Sequence, residues 1–220
     1  MILLCSLNIY NDNVLSLIED VLEKGADVNI NSMKIGWRRR EKIIKTPAEQ
    51  IVRRLGNDGI DEIETTYNTN MIIKILRMLK TYGADFTIGN PILGVIKNNA
   101  NRFAGSSIPD EKNKIIQFLI NNGANVNKSN GRRSNPIHEA TTRLMESTVK
   151  LLLENGADPN IKPRRLTLLN KLVNLFGNNP RSDSTIKKIF DLLLEEKYNI
   201  NVNEGTPLTK LIMKSRSEEH

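Results

Sequence analysis

One cysteine, two histidines and 32 basic side chains are the residues of this 220-residue chain whose chemistry could go beyond holding a fold together. A zinc site takes about four Cys, His or carboxylate ligands. Cys5, His138 and His220 fall in different regions and do not supply them. A nucleophilic Cys5 would need a positioned base, and no histidine lies near it in sequence, so its expected role is a buried helix cysteine. Glycine-rich phosphate loops of the G-x-x-x-x-G-K-[ST] or G-x-G-x-x-G type are absent. Asp27, Asp85 and Asp158 are spaced as turn residues, each able to accept hydrogen bonds from nearby backbone N–H groups. The arginines stand apart. Arg38, Arg39 and Arg40 follow Trp37, and two further clusters are Arg132 with Arg133 and Arg164 with Arg165. Arg and Trp are enriched among interface hot spots, so these eight residues are the candidate partner-binding set. No catalytic site, metal or cofactor is expected.

The elements that position these residues are soluble helices, judging by composition. Apolar residues make up 39% and charged residues 26%, while aromatics at 5% are scarce enough to suit helices packed with Leu, Ile and Val. No run approaches the roughly 18 to 20 apolar residues of a membrane span. The opening Met1 to Leu7 lacks a basic leader and breaks at Asn8, Asn11 and Asp12, which reads as a first helix rather than a secretory signal. A single cysteine excludes an internal disulfide and points to a reducing cytosol or nucleus. The net charge of +7 favours an acidic protein partner or a nucleic acid, and serves equally to keep a small monomer soluble.

The strongest pattern is a repeat. Gly123-Ala124-Asn125-Val126-Asn127 is followed by Asn135-Pro136-Ile137-His138-Glu139-Ala140, by Val149 to Leu153, and by Gly156-Ala157-Asp158-Pro159-Asn160, with 33 residues from Gly123 to Gly156. The stretch resembles an ankyrin repeat, whose consensus reads Thr-Pro-Leu-His-x-Ala early and Gly-Ala-Asp-Val-Asn late. Pro136, His138 and Ala140 match, while Asn135 and Ile137 replace the Thr and Leu. The resemblance implies an all-α solenoid of stacked helix-turn-helix units with projecting hairpin fingers. It also implies left-handed glycines at Gly25, Gly83, Gly123 and Gly156, and a structural His138 that ties a helix start to adjacent turns.

On this reading a single domain covers residues 1–214, with repeats near 1–33, 46–89, 90–130, 135–163 and 166–203, a partial one at 206–214, and a polar tail at 215–220. In the first repeat Leu17, Ile18, Val21 and Leu22 form the apolar stripe. The surplus between Gly25 and Gly83 goes into a finger, Ile30 to Lys45, and an acidic loop, Gly56 to Asn70, before a helix Met71 to Tyr82. Asp110 is the expected N-cap of a helix carrying Ile115, Ile116, Leu119 and Ile120. In the fifth repeat a loop, Gly177 to Ser184, precedes a helix Ile186 to Glu196, in which Leu193 and Leu194 match Leu152 and Leu153. Lys197 stands there in place of the closing glycine.

All three arginine clusters lie between a closing turn and the next repeat's first helix, the finger segment in the family. Fingertips and the concave face are the family's usual binding surface, which implies a non-catalytic protein-interaction module with an acidic partner. Nucleic-acid binding through a basic ridge is the alternative, although the interleaved aromatics of single-strand binders are missing. The wealth of Asn, Ile and Lys resembles divergent ankyrin arrays of large DNA viruses or intracellular bacteria, where such proteins engage host partners as adaptors.

Overall fold

Proline and capping oxygens set the helix starts in this chain. The computed structural model describes residues 12–30, 32–34, 43–53, 62–97, 108–129, 134–162, 166–177, 180–204 and 207–210. They divide between two compact units, Met1–Asn125 and Val126–His220.

In the first unit the order is α1 (Asp12–Glu23), β1 (Ser32–Lys34), β2 (Ile43–Lys45), α2 (Pro47–Val52), α3 (Glu62–Thr81), α4 (Pro91–Lys97) and α5 (Ile108–Asn121). Thr46 caps α2 through a reciprocal box. Its hydroxyl accepts from the Glu49 N–H at 3.3 Å, and the Glu49 carboxylate accepts from the Thr46 N–H at 3.3 Å. Pro47 takes the first helical position, where a missing N–H leaves no bond unmade. The strands pair antiparallel with Ser32 opposite Lys45, Met33 opposite Ile44 and Lys34 opposite Ile43, in the stretch expected to form the first finger.

Helices α2 and α4 pack on each other in one layer and α3 and α5 in a second, with α2 joined to α3 and α4 to α5 across the layers. Gly94 permits the close approach of α4 to α2, since a Cβ there would lie 3.0 Å from Val52 Cγ2. Ile72, Ile75, Leu76 and Leu79 of α3 meet Ile115, Ile116 and Leu119 of α5 in the core, and Ile120 stays half-buried.

Three expectations change in this unit. The buried stripe of α1 is Leu15, Ile18 and Leu22, while Leu17 is 42% exposed, because positions three and four apart share one helix face and Leu17 belongs to the next row. Residues 62–70, expected within a loop, are helical and continue into α3 without a Gly or Pro to stop them. Asn68 and Thr69 are buried there, so a polar stretch occupies the inner face and conceals the helical period. Asp110 lies inside the first turn of α5 rather than at its cap. Pro109, with its fixed φ, lets the helix start earlier.

The second unit repeats the arrangement with α6 (Pro136–Thr142), α7 (Glu146–Glu154), α8 (Leu168–Leu175) and α9 (Pro180–Leu193). Here α6 packs on α8 and α7 on α9, while α6 joins α7 and α8 joins α9. Thr167 caps α8 by accepting from the Asn170 N–H at 3.2 Å, which explains a helix start that has no proline. Helix α9 begins at Pro180 instead of Ile186 and ends at Leu193, so Leu194 is 44% exposed where its counterpart Leu153 is 4% exposed. A 3-10 turn, Glu196–Tyr198, follows, and Asn199 at φ 46° supplies the left-handed residue that Lys197 does not. Residues 207–210 are helical, within the expected partial repeat. No helix among the described residues is long and apolar enough to cross a membrane.

Candidate interaction surface

The closing turns are built first by glycine and then by amide side chains. Gly25, Gly83, Gly123 and Gly156 all have φ between 82° and 95°, the left-handed region that glycine enters without a Cβ penalty. Two residues after each turn aspartate an N–H is accepted, from Asn29 by Asp27, from Thr87 by Asp85 and from Asn160 by Asp158, each at 2.8 Å. Those aspartates therefore serve as the turn residues their spacing suggests.

Next comes a bond pattern that links neighbouring turns. The Asn29 amide donates to the Gly83 carbonyl at 3.0 Å while its oxygen accepts from the Asp85 N–H at 2.8 Å. Asn127 makes the same pair with Gly156 and Asp158 at 3.0 and 2.8 Å, and Asn160 with Asn199 and Asn201 at 3.1 and 2.8 Å. Each asparagine thus acts as an extra peptide group between two turns. Sequence reasoning saw these asparagines as part of a closing signature and missed the link, although the constant offset from the preceding glycine was its signal. Thr87 stands at this offset in the turn after α3 and has no amide to offer.

His138 follows the N-cap of α6, where Asn135 Oδ1 accepts from the His138 N–H at 2.9 Å. Its Nε2 lies 2.7 Å from the Ile161 carbonyl, an oxygen that can only accept, so Nε2 carries the proton. The ring is 6% exposed. Burial lowers its pKa to about 4, the positive charge of Lys171 adds to that effect, and the bond to Ile161 opposes it. A neutral imidazole with one nitrogen committed to a backbone carbonyl is a strut, as its place in the pattern implied. The positions equivalent to His138 read Glu49, Leu93 and Asn170. Glu49 performs a related task with opposite polarity: its carboxylate is buried and accepts from the Asn90 N–H at 2.8 Å, tying α2 to the cap of α4. Aligning Thr46-Pro47 with Asn135-Pro136 would have found it.

The eight candidate binding residues, Trp37, Arg38, Arg39, Arg40, Arg132, Arg133, Arg164 and Arg165, lie outside the described residues, as do Cys5 and His220. What the structure does describe is the frame on either side of two clusters. Before Arg132 stands the Asn127 link and after it the Asn135 cap. Before Arg164 stands the Asn160 link and after it the Thr167 cap. Ser134 donates to Glu139 at 2.9 Å, and Glu139 pairs with Arg143 at 2.9 Å. Lys162 pairs with Glu204, joining the segment after α7 to the one after α9. Among the described residues no group of three or more His, Cys, Asp or Glu is arranged to hold a metal ion.

Paired helices, left-handed closing turns and asparagine links from one turn to the next define a helical repeat protein. The repeat is of a particular family: residues 133–163 match the family model for the ankyrin repeat, a match that spans that one unit. No curated protein matches the sequence.

Proposed function

We propose that the chain is a non-catalytic protein-interaction module that presents its arginine-bearing finger segments, with Trp37 as an apolar anchor, to an acidic protein surface. The observation that carries this reading is the division of labour in residues 127–167. The polar side chains that bracket the arginine segments are consumed by caps and turn links, whereas Arg132, Arg133, Arg164 and Arg165 fall in stretches with no scaffold residue of the repeat pattern. Ankyrin repeats in general mediate protein–protein contacts, which agrees with this.

The test is affinity capture with the full chain and with Arg132→Glu combined with Arg133→Glu. Loss of the captured partner in the double variant is expected, and undiminished capture removes the arginines from the account. A parallel titration against DNA and RNA at low and high salt separates the nucleic-acid reading. Phosphate contacts would make affinity fall steeply with salt, and no binding at low salt is expected.

A further inference from the structure

Two neighbouring helices of the first unit carry opposite charge on their solvent sides. Glu19, Asp20 and Glu23 of α1 are exposed, and so are Lys74, Arg77 and Lys80 of α3. None of the six forms an ion pair among the described residues. Their registers coincide: Glu19 and Arg77 each stand six residues before the glycine closing their helix, Gly25 and Gly83. Asn29 joins those two turns, so the helices end side by side. Partial desolvation and then the charges of Glu23 and Glu19 push the Tyr82 phenol upward, which agrees with acids of α1 lying near the end of α3.

The cations of α3 turn the other way. The Arg77 guanidinium lies 5.9 Å from the centroid of the Phe118 ring and the Lys80 ammonium 5.6 Å from that of Phe86, with the two rings 6.3 Å apart. Ring faces attract cations and restrain them, and restrained side chains lose less entropy on binding. Like charges one turn apart repel within a helix. The helix dipole offsets this for Lys80 in the last turn, and it leaves Lys74 without compensation.

A face with one acidic and one basic row complements itself. We propose that the exposed face of α1 and α3 binds a second copy of this chain. A two-fold axis parallel to the helices and running between them lays α1 of each copy over α3 of the other. That axis sets Glu19 opposite Arg77 of the second copy and brings Glu23 within one residue of the level of Lys80, twice over, as an isologous interface requires. An axis crossing the helices would set like charge on like. Leu17, 42% exposed on α1, gains cover beside the pairs. A wholly acidic ligand fits less well, because the α1 carboxylates lie next to the cations it would seek.

Sedimentation velocity on the full chain tests this. A concentration-dependent dimer is expected at about 50 mM salt, with its dissociation constant raised about tenfold or more at about 500 mM, since exposed pairs are screened. Lys74→Glu with Arg77→Glu makes the face predominantly acidic, with Lys80 the one cation left of the six, and Glu19→Lys with Glu23→Lys makes it predominantly basic, with Asp20 the one acid left. Each variant alone should sediment as a monomer, and a one-to-one mixture should dimerise. Circular dichroism checks that both remain helical, and Glu19→Gln with Arg77→Gln, which should weaken the dimer, replaces them if either does not. Arg132→Glu with Arg133→Glu should leave the dimer intact, so failure here is separate from failure of the finger reading. Wild-type chain that sediments as the monomer expected from sequence at every concentration and salt, or a mixture that stays monomeric, overturns the proposal.

Discussion

At the scale of single residues, His138 shows how a side chain that suggests catalysis is held as structure. In the fold its pKa is about 4, against about 6.5 in an unfolded chain. Above pH 6.5 the ring is neutral in both states and its contribution is fully present. As pH falls from 6.5 towards 4 the unfolded chain takes up a proton that the fold refuses, so stability is lost across that window and levels off below it. The loss reaches at most about 3 kcal/mol, from a depression of about 2.5 pH units. Urea unfolding of wild type and His138→Gln between pH 7.5 and 4 measures it. The variant should be less stable at pH 7.5, and the gap between the two should close as pH falls. A gap independent of pH would mean that the ring is not buried neutral. Glu49 shows that the site tolerates a change of polarity, because a carboxylate can accept from a neighbouring cap where an imidazole donates to a neighbouring carbonyl.

At the scale of elements, the turns rather than the helices carry the repeat's specificity. Helices α2, α4 and α6 are only six or seven residues long, shorter than helices that persist alone in water. They depend on caps and on packing. Three asparagine links join successive turns, and Thr87 breaks the series. In its place the Phe86–Phe118 contact spans from the turn after α3 to α5. Thr87→Asn should add a link to the turn at Gly123 and stabilise the chain by about 1 kcal/mol, the net worth of an ordinary hydrogen bond. A raised urea midpoint with unchanged slope is the expected result, and an unchanged or lowered midpoint would show that the spacing of these two turns differs from the others.

At the scale of the molecule, each unit has its own core of Leu, Ile and Val from two layers of short helices. Removing one large side chain should therefore be felt by a whole unit. Leu152 is fully buried in α7, and Leu152→Ala should cost about 2 to 5 kcal/mol, a large share of the roughly 5 to 15 kcal/mol that holds a typical domain together. Urea unfolding followed by helical circular dichroism measures the shift in midpoint, and a cost under about 1 kcal/mol would mean that the neighbouring helices collapse into the space. The charge of +7 is unevenly spread. Part of it forms the row on α3, part the arginine clusters, and these two sets make separate predictions about separate partners.

Short-range signals are legible in the amino-acid sequence itself. A left-handed glycine, a proline at a helix start and an aspartate accepting from the N–H two residues on are all set by adjacent atoms, and Gly25, Pro136 and Asp158 behave as their spacing indicates. The helix from Glu62 is not legible, because its buried positions Asn68 and Thr69 are polar and only packing reveals that they face inward. The exposure of Leu17 and Leu194 is hidden for a related reason, since an apolar residue reads the same on either face of a helix until its neighbours are in place. The link from Asn29 to Asp85 spans 56 positions, and the tie from Glu49 to Asn90 spans 41. A constant offset or an alignment of repeats can mark one member of such a pair, and only the fold brings it to the other. Sequence alone determined what repeats, and tertiary structure decided which side chains the repetition brings together.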